Sequence, residues 1–150
     1  MKRLTFSATV LLVLICSGLS ACATARQVTS GNTNQCLNVE NHGYPVAGTP
    51  LKVKPCDPWR NQQWQFNDDG SITGVGGFCV DVQGSVATVR AAVIYVPCVG
   101  SPSQKWTVNG AQLVGIGGLC VDISGGEPAT LAPLVLAVCN GSPTQQWLLH

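Results

Sequence analysis

Two carboxylates, Asp81 and Asp122, each stand two positions after a cysteine, in Cys79-Val80-Asp81 and Cys120-Val121-Asp122. Asn38 takes the same place in Cys36-Leu37-Asn38. A pair of carboxylates could act as the acid and base of a glycoside hydrolase, which needs them roughly 5–10 Å apart. The cysteines could bind zinc or form disulfides. A zinc site would use close pairs such as Cys-x-x-Cys, and none occurs. The two histidines are His42 and His150, and no Gly-x-Ser-x-Gly, phosphate loop or metal-spaced histidine cluster is present. No metal, cofactor or catalytic constellation is expected.

The residues around these positions form a unit that occurs three times. Its copies run Cys36 to Cys56 to Gln62-Gln63-Trp64, Cys79 to Cys98 to Gln104-Lys105-Trp106, and Cys120 to Cys139 to Gln145-Gln146-Trp147. Cysteine to cysteine is 20, 19 and 19 positions, and second cysteine to tryptophan is 8 in each. A unit of about 41 residues has been triplicated. Gly74-Val75-Gly76-Gly77-Phe78 matches Gly115-Ile116-Gly117-Gly118-Leu119 before the first cysteine. The first copy keeps Gly31 but carries Asn34 and Gln35 instead of the last glycine and the apolar residue. Asp81 and Asp122 therefore hold equivalent places in separate repeats. Threefold geometry sets them too far apart for glycosidase chemistry, and the reading is not an enzyme.

Of 8 cysteines, Cys16 and Cys22 fall in an export-type segment. Lys2 and Arg3 precede an apolar stretch from Leu4 to Ile15, shorter than the roughly 20 residues of a membrane span. Leu19-Ser20-Ala21-Cys22 resembles the bacterial lipoprotein signal, whose cysteine is lipidated after cleavage. Residues 1–22 are expected to be this signal and 23–27 a short linker. The alternative is ordinary secretion, with cleavage near Ala23 or Ala25. The expected localisation is the cell envelope, or the exterior in the secretory case. Six cysteines at repeated spacing in an exported chain read as a disulfide framework. Six allow 15 connectivities. The repeat selects Cys36–Cys56, Cys79–Cys98 and Cys120–Cys139.

About 125 residues then remain, enough for one domain with a core. Without Lys2 and Arg3 the chain is nearly neutral, with no basic patch, so nucleic acid is not an expected partner. Contact with a membrane is expected only through a lipid at Cys22, and the protein is expected to be a monomer.

No segment of this domain keeps a helical period, and glycine and proline interrupt it often. Short apolar runs end at each second cysteine: Leu51-Lys52-Val53-Lys54, Ala91 to Val96, and Leu134-Val135-Leu136-Ala137. They read as strands. A period of two turns Leu51 and Val53 inward, and alignment gives the same orientation to Val93, Tyr95, Leu134 and Leu136. Four strands per repeat make about twelve, and threefold closure removes the exposed edges. Trp64, Trp106 and Trp147 are expected in the core, around a common axis.

Three Gln-x-Trp repeats, the Cys-x-Asp segments at Cys79 and Cys120, and one bridge per repeat resemble the ricin B-type lectin family. The resemblance covers residues 28–150, with repeats of about 28–69, 70–110 and 111–150. It implies an all-β β-trefoil and a carbohydrate-binding function, with up to three shallow sugar sites and no catalysis. It also implies that Asp81 and Asp122 accept hydrogen bonds from sugar hydroxyls, with Asn38 in their place in the first repeat. Gln62, Gln104 and Gln145 would steady that residue or bond the sugar directly. The preceding residue often contacts sugar in the family; here it is Asn61, Ser103 or Thr144.

One feature departs from the family. Members that bind galactose place an aromatic ring two residues before the second cysteine, where this chain has Lys54, Val96 and Ala137. The position two earlier, often polar, holds Lys52, Ile94 and Val135. Trp59 and Tyr44, in polar loops of the first repeat, are the candidates for a substitute stacking surface. The competing reading is a trefoil scaffold with degenerate sugar sites and a protein partner, in which Ile94, Val96, Val135 and Ala137 form an apolar patch.

Overall fold

Alternation of apolar and polar residues produces three equivalent hairpins. A computed structural model describes residues 24–40, 44, 46–126 and 129–150; the expected signal segment and Cys22 lie outside them. Twelve strands run in chain order: β1 (Val28–Ser30), β2 (Gln35–Val39), β3 (Thr49–Pro55), β4 (Gln65–Phe66), β5 (Ile72–Thr73), β6 (Cys79–Val82), β7 (Val93–Val96), β8 (Thr107–Asn109), β9 (Gln112–Val114), β10 (Cys120–Ile123), β11 (Leu134–Ala137) and β12 (Trp147–Leu149). The hairpins β2–β3, β6–β7 and β10–β11 are antiparallel. Their registers place Asn38 opposite Lys52, Asp81 opposite Ile94 and Asp122 opposite Val135.

Each hairpin is closed by the expected bridge: Cys36–Cys56, Cys79–Cys98 and Cys120–Cys139. A loop of this length contributes about 3 kcal/mol by restricting the unfolded chain. β12 pairs with β1, Leu148 opposite Thr29, so the last repeat closes onto the first. β3 pairs with β7, and isolated bridges join Lys52 to Pro133 and Ala92 to Val135. The three hairpins thus meet one another, and their edges are covered. Among the described residues no helix is long and apolar enough to cross a membrane.

Leu51, Val53, Val93, Tyr95, Leu134 and Leu136 are all fully buried, the faces that period-two alternation assigns. The centre is lined by Leu37, Val80, Val121, Leu51, Val93 and Leu134, together with Ile72 and Leu113. Trp106 is the tryptophan that reaches this central lining; Trp64 and Trp147 do not line it. All three tryptophans are buried in the core as expected, but they do not share the centre, which smaller branched side chains line together with Trp106. The tryptophans instead fasten each repeat's end to its start. Their indole N–H groups donate to Leu37, Val80 and Val121 carbonyls, each at 3.0 Å.

This packing explains the repeated glycines. A Cβ on Gly115 would lie 2.6 Å from the Trp106 ring, and one on Gly74 would lie 2.9 Å from Trp64. Gly77 and Gly118 take φ of +73° and +71°, and Asn34 holds the same place in the first repeat at +54°. Asparagine is among the few residues that tolerate this conformation.

Candidate functional site

The Gln-x-Trp glutamines come first, because their surroundings decide what each repeat can offer a ligand. Each ends a one-turn 3-10 helix: Arg60–Gln62, Pro102–Gln104 or Pro143–Gln145. Each is completely buried. Gln104 Nε2–H donates to Asp81 Oδ2 and to the Pro97 carbonyl, both at 3.0 Å, while its oxygen accepts from Val99 and Gly100 N–H groups. Gln145 Nε2–H donates to Asp122 Oδ2 at 3.0 Å and to the Val138 carbonyl at 2.9 Å, and its oxygen accepts from Asn140 N–H. Gln62 donates to Asn38 Oδ1 and the Pro55 carbonyl and accepts from Asp57 N–H. The glutamines therefore hold the Asp or Asn and sew the loop after the second cysteine to the first hairpin strand. Burial keeps them away from direct contact with a ligand in this conformation.

The residue before each glutamine is also buried. Ser103 shares a hydrogen bond with Ser101 at 2.9 Å, and Thr144 one with Ser142 at 3.0 Å. Asn61 Nδ2–H donates to Asn38 Oδ1 at 2.8 Å and to the Val39 carbonyl at 3.1 Å.

The three repeats then diverge. Asn38, Asn61 and Gln62 form a closed network, at 0%, 2% and 0% exposure. In the second repeat both Asp81 oxygens are engaged, Oδ2 by Gln104 and Oδ1 by Val82 N–H at 2.6 Å, and the side chain is buried. Asp122 is half-buried. Its Oδ2 is held by Gln145, and its Oδ1 has no hydrogen-bond partner among the described residues. Asp122 lines a recess of about 360 Å³ with Val135, Ala137, Gly125, Gly126, Val89 and Arg90.

Arg90 is the residue that sequence reasoning missed. It belongs to the second repeat, but its N–H donates to the Leu136 carbonyl of the third at 2.7 Å. The relationship is threefold: Gly48 N–H donates to Tyr95 O at 2.9 Å, and Leu131 N–H to Val53 O at 2.8 Å. All three take left-handed φ, of +85°, +73° and +70° for Gly48, Arg90 and Leu131. Each lies eight residues before a second cysteine. A glycine aligned with an arginine and a leucine was the available signal of a special backbone position.

Trp59 and Tyr44 are 63% and 83% exposed. Ile94, Val96, Val135 and Ala137 are half-buried, so the apolar substitutions are partly covered rather than fully presented. Among the described residues no group of three His, Cys, Asp or Glu side chains is placed to hold a metal ion.

Comparison with known proteins matches this architecture. The family model for the ricin-type beta-trefoil lectin domain matches residues 24–147. Nigrin b of Sambucus nigra is 32% identical over 78 residues, 52% of this chain and 14% of nigrin b, so the match spans about one seventh of that relative. Among solved structures, the designed threefold-symmetric protein ThreeFoil superposes with a TM-score of 0.77 at 23% identity, covering 83% of this chain and 96% of that one. The C-half of the earthworm R-type lectin, solved in complex with GalNAc, gives 0.72 at 17% identity, covering 85% and 98%. At these identities the structural likeness speaks to the fold.

Proposed function

Because this chain belongs to the ricin-type β-trefoil lectin domain family, we propose that it binds glycans without catalysis, through the recess at Asp122. The observation that carries this reading is Oδ1 of Asp122, an acceptor shielded from solvent and without a partner in this conformation, on a carboxylate whose other oxygen is fixed by Gln145; a buried polar atom left unsatisfied calls for a partner that the chain does not supply. A sugar presents vicinal hydroxyls, and a fixed carboxylate accepts from them more strongly than a neutral group does. The recess volume lies at the small end of ligand sites, which run from about 300 to 1,000 Å³. Asp81 and the Asn38–Asn61–Gln62 network serve to hold their repeats together. Trp59 and Tyr44 offer apolar faces for a separate contact on the first repeat.

A single shallow site of this kind binds near millimolar, about −4 kcal/mol. Presentation of many chains on a surface would raise avidity without new contacts. An array of immobilised glycans probed with the purified protein tests the reading. Selective binding supports it, and folded protein that binds no glycan contradicts it.

Attachment to a cell envelope through a lipid on Cys22 belongs to the same proposal. Leu19-Ser20-Ala21-Cys22 supports it, and three disulfides suit an oxidising compartment. Fatty-acid labelling in a bacterial host should mark the parent protein and not Cys22→Ala. An unlabelled parent favours plain secretion, and equal labelling of both refutes Cys22 as the lipid site.

A second reading, a scaffold for a protein partner, is favoured at the second repeat alone. There both Asp81 oxygens are already taken, and Ile94 and Val96 are half-buried. A partner retained in saturating free sugar would support it.

A further inference from the structure

The Asp122 recess has a guest side chain that its two counterparts lack. The loop preceding each outer hairpin strand crosses to the next repeat, and the crossing residue is Gly48, Arg90 or Leu131. Glycine brings no side chain and leucine brings no charge. Only the crossing into the third repeat carries a cation. The crossing strand is pinned from both sides, by Arg90 N–H to Leu136 O at 2.7 Å and Leu136 N–H to Ala91 O at 2.9 Å.

Arg90 is exposed, and its guanidinium has no hydrogen-bond or ion-pair partner among the described residues, where the ion pair is Lys105 with Asp69. Asp122 lines the same recess but is not paired with it. At one recess, therefore, an exposed cation stands with a carboxylate whose Oδ1 is unpartnered and shielded from solvent in this conformation, an unsatisfied acceptor that an entering hydroxyl would have to reach. It lacks the aromatic ring that would grip a neutral sugar's apolar face, because Ala137 stands in that place.

We propose that this recess selects a sugar bearing a carboxylate, with Arg90 binding the carboxylate and Asp122 Oδ1 accepting a hydroxyl of the same ring. The inference rests on the glycan-binding reading of Asp122. A guanidinium presents a planar fork of donors that matches a carboxylate in bidentate fashion. A neutral sugar leaves that charge to water, and gains little from Val135 and Ala137. Hexuronic and sialic acids share the required chemistry.

The test is a titration of the purified protein with an oligogalacturonide and with a sialylated trisaccharide. Each is compared with its methyl ester and with a neutral oligosaccharide. The parent protein should bind at least one acid about tenfold or more tighter than its ester, and the acid that binds identifies the source. Arg90→Gly should abolish the preference. Glycine suits φ of +73° and is the first repeat's own residue here, so the variant should keep its fold, which a thermal melt checks. Arg60→Ala, removing an exposed cation of the first repeat, should keep the preference. An ester bound as tightly as its acid, or a preference surviving Arg90→Gly, overturns the inference. Neutral glycans bound through Asp122 without acid preference would remove only this inference. No glycan bound at all would remove the Asp122 reading with it.

Discussion

Gln145 holds Asp122 by one oxygen: its Nε2–H donates to Oδ2 at 3.0 Å, and Oδ1 is left without a partner. Gln104 makes the same bond to Asp81 at the same distance, but there Val82 N–H takes the second oxygen. Two repeats with the same residue types thus differ in whether the second carboxylate oxygen has a partner. The difference lies beyond the bond to the glutamine, which is the same in both repeats.

Replacing Gln104 or Gln145 by leucine should destabilise the fold by similar amounts. Each change removes a donor from one carboxylate oxygen and one carbonyl and an acceptor from at least one N–H, at about 1–3 kcal/mol for an unsatisfied buried group. Urea denaturation measures this. Glycan affinity should fall only for Gln145→Leu, because Asp122 loses its orientation. Equal loss of affinity in both variants would count against a third-repeat site.

Tyr95 gives a pH signature. Its ring packs edge-on to Trp64 with centroids 5.7 Å apart, and its hydroxyl donates to the Val75 carbonyl at 2.7 Å. Burial pushes its phenol above the ordinary range. The group is raised in the folded state, so its contribution is fully present below the unfolded value of about 10 and declines as pH rises past it. Tyr95→Phe should lose about 1 kcal/mol near neutrality, the typical net worth of one hydrogen bond. It should also show a shallower alkaline fall in stability. An unchanged alkaline slope would mean that Tyr95 is not the group responsible.

The frame was legible in the sequence because repetition exposes it. Spacing assigned the three bridges, and alternation assigned the buried faces of β3, β7 and β11. What was not legible depends on closure of the ring or on a single rotamer. Arg90 reaches the third repeat only because its loop crosses a repeat boundary, a neighbour relation held by the bridge between Ala92 and Val135. Asp81 and Asp122 look alike in sequence, and one N–H, that of Val82, separates them. The Asn38–Asn61–Gln62 set contains the residue types of a polar site, yet its members are fully buried and Asn61 and Gln62 both donate to Asn38 Oδ1, which makes it a buried clamp, with Asn38 Nδ2 and Asn61 Oδ1 left unpartnered among the described residues.

The most direct test compares Asp122→Asn with Asp81→Asn in titrations against a glycan that the protein binds on the array. Asparagine keeps the shape and removes the charge that strengthens each accepted hydrogen bond. The account predicts about tenfold or greater loss for Asp122→Asn, corresponding to about 1.4 kcal/mol. Affinity should stay within about twofold for Asp81→Asn, because that carboxylate is already occupied by Gln104 and Val82 and does not meet the sugar. Equal losses, or a loss confined to Asp81→Asn, would contradict it.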